Sequence, residues 1–231
     1  MESLSGALGW IQEHLRVLIG AALAILVVLI LAVAYLGYAQ GREGRADLAL
    51  ARALRTYQAP IDPVAASPED ETAPTFASAS ARAQKAEELF TQTVDDFGRS
   101  KAAGIASVYL GQIAADAGDL TTAREYWQGF LSRADDSALA IEVRVNLMGL
   151  DRAQGRGDEL VTELRALLSS ADSSLPPDLL WYQLGVTLEE LDRQTEAHEA
   201  FQRLVEEYPQ SAYAPDARER TGSDASSLFG T

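Results

Sequence analysis

From residue 78 to 220 the apolar positions fall three and four apart, and short Gly, Asp, Ser or Pro breaks interrupt them. That is the period of amphipathic helices joined by tight turns, and no stretch alternates apolar and polar residues as a strand would. The pattern is clearest in residues 181–209, WYQLGVTLEELDRQTEAHEAFQRLVEEYP. One helix there carries Trp181, Leu184 and Leu188 with Gly185 among them, and a second carries Ala197, Phe201 and Leu204 on one face. Pro209 stops the second helix, because it cannot donate the next backbone hydrogen bond and it disfavours helical geometry at Tyr208. The same reading predicts helices near 100–116, 119–133, 138–153, 156–169, 176–191 and 194–207, with a short helix near 212–220 capping the open apolar end. Upstream, Leu48, Ala51, Leu54 and Tyr57 recur at near-helical spacing, so residues 40–58 are expected to be helical, with 44–58 pairing with 78–97. Between them, residues 59–77 carry four prolines in a small, acidic background, the composition of a loop or a disordered insertion.

The helices repeat in register. Ala197 and Phe201 have counterparts 37 residues earlier in Leu160 and Leu164, then in Ala123 and Trp127, then in Ala86 and Phe90. Leu184-Gly185 corresponds to Leu147-Met148 and to Leu110-Gly111, and the turn residues Gly118, Gly155 and Asp192 share the same 37-residue spacing. FGRSKAA (97–103) and YPQSAYA (208–214) echo each other across three such steps. A register kept over four units identifies an internal repeat, each copy a pair of helices that cannot bury its apolar face alone.

A second hydrophobic pattern precedes the repeats. Residues 17–39, VLIGAALAILVVLILAVAYLGYA, contain no charge, and their length suits the roughly 20 residues that cross a bilayer core. Trp10 lies before the run, and Tyr35 and Tyr38 lie near its end, as interfacial aromatics do. The run therefore reads as a single transmembrane helix following a short tail, residues 1–16. The alternative is a signal peptide cleaved after Ala39, for which Gly37-Tyr38-Ala39 offers a small-x-small site. Arg42, Arg45, Arg52 and Arg55 follow the run, against Arg16 alone before it, so positive-inside counting favours a cytoplasmic C-terminal domain.

The WxxLG, Ala-x-x-x-Phe and Pro sequence of residues 181–209 resembles the tetratricopeptide repeat. Trp181, Leu184, Gly185, Ala197, Phe201 and Pro209 stand at its signature places, with Leu188 and Leu204 conservative at two others. The copy around Leu110, Gly111, Gly118, Ala123 and Trp127 is good, whereas that around Leu147, Gly155, Leu160 and Leu164 is degenerate. A register of 37 residues exceeds the roughly 34 of the family and fits longer turns. The resemblance covers residues 78–220 and implies an all-α solenoid of helical hairpins. It also implies that the first helix of each hairpin lines a concave protein-binding groove. On that face lie Val108, Gln112 and Asp116, then Val145, Gly149 and Arg152, then Tyr182, Val186 and Glu189. The competing expectation for several of these is a place in the core. Of the Lys and Asn residues that clamp a terminal carboxylate in some members, only Asn146 has a counterpart, which argues against recognition of acidic C-terminal tails.

Composition narrows the chemistry. Net charge is −15, and because only Glu2, Glu13 and Arg16 lie in the first 41 residues, the rest holds 18 basic against 32 acidic side chains. Such a domain repels phosphate backbones, so nucleic acid is not an expected partner, and basic or apolar polypeptide segments are. With no cysteine, disulfides, thiolate metal sites and Cys nucleophiles are excluded. His14 and His198 stand in different regions, and pairs such as Glu189-Glu190 point to different sides of a helix. No phosphate loop, nucleophile elbow or zinc spacing occurs. No catalysis, cofactor, metal or small-molecule substrate is expected.

The arrangement of short tail, membrane run, continuing helix and repeat hairpins resembles the bacterial ancillary Sec-translocon subunit family, whose architecture is shared with a cell-division coordinator repeat domain. That resemblance implies a single-pass inner-membrane protein with a periplasmic repeat domain, residues 78–220, and a flexible tail, residues 221–231. Its implied partners are translocon subunits and periplasmic chaperones. An envelope-assembly or cell-division factor, or a cytoplasmic membrane-bound adaptor, remains an alternative. The repeat register makes a direct prediction about energetics. Phe201→Ala should cost about 3–5 kcal/mol by opening a cavity between hairpins, and His198→Ala should stay within roughly 0.5 kcal/mol as a surface change. Equal costs in urea melts would mean that the register is misplaced.

Overall fold

Alanines decide how the first two helices meet. The structure, a computed structural model, describes residues 25–33, 36, 41–70, 72–133, 137–170 and 173–222, and its chain forms two compact units, residues 1–106 and 107–231. In the first unit, helix α1 (41–57) buries Ala46, Leu50, Ala53 and Thr56, and helix α2 (Ala79–Phe97) buries Ala86, Leu89, Phe90 and Thr93. Leu48, Ala51, Leu54 and Tyr57, whose spacing marks the helix in the sequence, lie off this buried stripe. Leu48 is 72% exposed, because the face with the smallest side chains turns inward and lets the helices approach. The two helices are antiparallel, as expected. The Arg42 guanidinium donates to the Asp96 carbonyl at 2.9 Å at one end, and that of Arg82 to the Ala59 carbonyl at 3.1 Å at the other. Tyr57 meets Phe90 edge-on at 6.1 Å between the ring centroids.

The proline-rich connection follows an irregular path held by backbone and side-chain hydrogen bonds. Phe76 is buried; its N–H donates to the Pro60 carbonyl and its own carbonyl accepts from the Asp62 N–H. The Asp62 carboxylate accepts from the Val64 and Ala65 amides, and that of Asp70 from the Thr72 hydroxyl and the Thr72 and Ala73 amides. These bonds hold both carboxyls below their ordinary range, Val64 contributing most at Asp62 and the Thr72 hydroxyl most at Asp70.

Helix α3 (Lys101–Asp116) begins in the first unit and runs into the second. There follow α4 (Leu120–Leu131), α5 (Ala138–Ala153), α6 (Gly157–Ser169), α7 (Pro177–Glu190), α8 (Gln194–Glu207) and α9 (Ala214–Thr221). Each begins and ends within a few residues of its sequence expectation. No strand occurs among the described residues, where the bridges Ile61–Phe76 and Ser67–Thr75 are isolated. The local causes are legible. Asp119 and Ser137 cap α4 and α5 through their side chains, Pro177 opens α7, and Tyr208 leaves helical geometry just before Pro209. Gly118, Gly155 and Asp192 all take positive φ, at 82°, 73° and 58°. After each, the next N–H reaches back five residues: Asp119 to Ala114, Arg156 to Asp151, Arg193 to Leu188, all at 2.8–2.9 Å. One turn geometry thus serves all three hairpins, and Asp192 adopts it without the freedom of glycine.

Packing within these hairpins rests on paired sizes. A Cβ placed on Gly111 would lie 2.4 Å from the Trp127 indole nitrogen, and one on Gly185 would lie 2.5 Å from the Phe201 ring. In the hairpin between them, Met148 replaces the glycine and Leu164 the aromatic, both buried. The indole N–H of Trp127 donates to the Val108 carbonyl at 3.0 Å, which locks the ring over Gly111. Phe201 belongs to the core cluster of Leu160, Leu164, Leu179, Leu184, Leu188 and Leu204, which Ala214 and Ala217 of α9 close. His198 is exposed.

The tail 1–16 lies outside the described residues, as do residues 17–24, 34, 35 and 37–39 of the apolar run, with Tyr35, Tyr38 and the possible cleavage site after Ala39, and the C-terminal tail from residue 223. Residues 25–33 are helical and their large aliphatic side chains are 52–69% exposed. Among the described residues no helix is long and apolar enough to cross a membrane. The paired sizes predict that one substitution has opposite signs at two helical glycines. Gly185→Ala should destabilise by about 1–3 kcal/mol through overpacking against Phe201. Gly149→Ala should stabilise by up to about 1 kcal/mol, since its nearest neighbour in that direction is the Arg152 guanidinium at 3.8 Å. Thermal melts of the two variants that shift in the same direction would contradict the pairing.

Candidate protein-binding surfaces

The nine groove positions expected from the sequence fall into three environments. Val108 is buried in the cluster around Trp127, while Val145 and Val186 are half-buried against the cluster of α6, α7 and α8. Gln112 and Asp116 are solvent-facing, the Gln112 amide donating to the Asp116 carboxylate at 2.8 Å. Gly149 leaves an uncrowded patch beside Arg152. The remaining three, Arg152, Tyr182 and Glu189, are engaged with the next helix of the array.

Arg152 on α5 donates to the Gln183 amide oxygen at 3.0 Å and pairs with Glu190 at 3.2 Å, both on α7. Glu189, 37 residues after Arg152, pairs with Arg220 on α9. Arg220 lies 37 residues after Gln183, so the two contacts are one contact repeated, and α9 stands where the first helix of a further hairpin would stand. Tyr182 completes the seam. Its ring stacks on Tyr213 at 4.8 Å, and its hydroxyl donates to the Asp216 carboxylate at 2.8 Å. Arg220 also donates to Asp216 at 2.7 Å and lies 5.5 Å from the centre of the Phe201 ring, within cation–π range. The Tyr182 hydroxyl, more than Arg220, holds the Asp216 carboxyl below its ordinary value. Burial, and then Asp216, push the Tyr182 phenol up.

A cleft of about 400 Å³ opens among α4, α5 and α6. Leu131, Leu147, Met148 and Leu167 form apolar wall, with Arg144 and Glu163 on facing helices. One end is fixed by Arg124, which binds Asp151 at 2.7 Å and Gln154 at 3.1 Å. The groove reading passed over this cleft. Its signal was the degenerate copy itself, where Met148 replaces glycine, Leu164 replaces an aromatic, and Arg144 occupies the place that Trp181 holds one register later.

The family model of the tetratricopeptide repeat-like domain matches residues 10–212. The chain belongs to that family. No curated protein matches it. Tetratricopeptide-like domains are typically scaffolds that mediate protein–protein interaction, and the all-helical hairpins described here accord with that architecture. The family match ends before α9, so the seam of Tyr182, Asp216 and Arg220 joins the repeat array to a helix beyond the matched residues.

Loss of the Tyr182 hydroxyl tests that seam. Tyr182→Phe should cost about 0.5–1.5 kcal/mol at neutral pH, the worth of one partly buried hydrogen bond. Asp216 has a lowered folded pKa, so its contribution is present above the ordinary value of 3.8 and is lost as pH falls through the folded value. The gap between native protein and variant in denaturant melts should therefore shrink as pH drops below 3.8. A gap independent of pH would separate the hydroxyl from the carboxylate.

Proposed function

We propose that this protein is a non-enzymatic scaffold tethered to the bacterial inner membrane through residues 17–39. Its repeat domain would face the periplasm and serve as an accessory factor of the Sec translocon or of periplasmic chaperones. The observation that carries the tether is the run of exposed aliphatic side chains from Ile25 to Val33. Water disfavours such a surface, at roughly 25 cal/mol per Å² of apolar area, and a bilayer does not. The start of the family match at residue 10, ahead of that run, supports treating the run and the hairpins as one architecture. The excess of acidic side chains beyond residue 41 supports basic or apolar polypeptide partners.

A cytoplasmic membrane-bound adaptor is the second reading, and Arg42, Arg45, Arg52 and Arg55 favour it. An envelope-assembly or division-coordinating factor shares the first topology and differs only in partner. Protease added to intact spheroplasts is expected to digest the chain beyond residue 42. Digestion only after lysis, with a periplasmic control already cut, would assign the cytoplasmic reading. In-cell crosslinking with mass spectrometry should then recover translocon subunits or periplasmic chaperones. Recovery of division or envelope-assembly proteins instead would redirect the assignment.

A further inference from the structure

Besides the glycine and aromatic positions, one further pair of register positions distinguishes the hairpins α3–α4, α5–α6 and α7–α8. In the first these are Ser107 on α3 and Tyr126 on α4; in the last they are Trp181 on α7 and Ala200 on α8. Each combination sets one aromatic against one small residue, and Tyr126 and Trp181 are both half-buried while Ser107 and Ala200 are buried. The hairpin between them has Arg144 and Glu163 at these positions, with no aromatic on either helix. That is where the cleft of about 400 Å³ lies, with Leu147, Met148 and Leu167 on its walls.

We propose that this cleft takes one aromatic side chain from a basic segment of a partner polypeptide, at the register positions where the neighbouring hairpins carry an aromatic of their own. The inference rests on the scaffold reading above and names the chemistry of the partner. The occupant is specified by the chain itself. Aromatic side chains suit this position in the hairpins on both sides, and the cleft lies in the lower part of the roughly 300–1,000 Å³ range of ligand pockets. Charge complementarity selects the rest. The Arg144 guanidinium suits the electron-rich face of a ring, the same pairing that Arg220 makes with Phe201 at 5.5 Å. Exposed Glu163 suits a Lys or Arg beside that ring, within a domain whose acidic excess draws basic segments.

The full chain in detergent micelles should be titrated with two fluorescein-labelled peptides of alternating lysine and serine, one with a central tryptophan and one with alanine there. Anisotropy is expected to show the tryptophan peptide binding about tenfold tighter, a difference of about 1.4 kcal/mol. Arg144→Trp copies the last hairpin's filling and Glu163→Tyr copies the first hairpin's, so each should bring the ratio to about one. Circular dichroism identifies which variants keep the native helix content, and either one suffices. Equal binding of the two peptides by the native chain, or binding of neither, overturns the proposal. So does a preference that survives in a folded variant. Crosslinked partners that persist in Arg144→Trp, together with no peptide preference, would leave the scaffold standing and remove the cleft from it. Loss of those partners along with the preference would tie the cleft to them.

Discussion

Two helices can pack as closely as α7 and α8 do only where one presents almost no side chain and the other fills the gap. Gly185 and Phe201 meet on those terms, with no room for even a methyl group between them. Gly111 and Trp127 do the same two hairpins earlier. The closeness serves more than the hairpin. Phe201 is fully buried in a cluster that draws on α6, α7, α8 and α9, so the position of each neighbouring helix depends on that ring staying where Gly185 puts it. Dense interiors transmit such constraints because few voids are available to absorb a shift.

The middle hairpin shows the constraint relaxed. Met148 and Leu164 keep the core filled by trading a small-and-large pair for two of intermediate size, the kind of volume-conserving exchange that cores tolerate. What the exchange does not supply is a counterpart to Tyr126 and Trp181 of the flanking hairpins. At those register positions Arg144 and Glu163 replace the ring-and-small pairing of the flanking hairpins, and the cleft follows. A copy that looks merely degenerate in sequence thus lines a cleft.

Function in a repeat scaffold divides in the same way between positions that hold neighbours and positions left over. Arg152 and Glu189 are polar and lie on first helices, as groove residues should, yet both are used to join the following helix. Ion pairs that are partly exposed contribute little stability one at a time. Here they act beside the stacked rings of Tyr182 and Tyr213, which supply area and orientation. Helix α9 ends the array by satisfying these groups, and its alanines Ala214 and Ala217 close the apolar end.

By itself the sequence determined the helices of the repeat region, their turns and their register, because those depend on local features. Proline, side-chain caps, a residue able to take positive φ and a 37-residue recurrence are all visible in one dimension. It also anticipated the antiparallel pairing of α1 with α2. It left open which face of α1 is buried, and the structure puts Ala46 and Ala53 there while Leu48 stays exposed. Hydrophobicity ranks leucine above alanine, but the approach distance to α2 decides between them, and that distance belongs to the partner helix. Which of the groove positions stay open to solvent was undetermined for the same reason. Whether Tyr182 or Glu189 faces a ligand depends on what packs next to it, and only the tertiary structure sets α9 against them and leaves the space beside Arg144 unfilled.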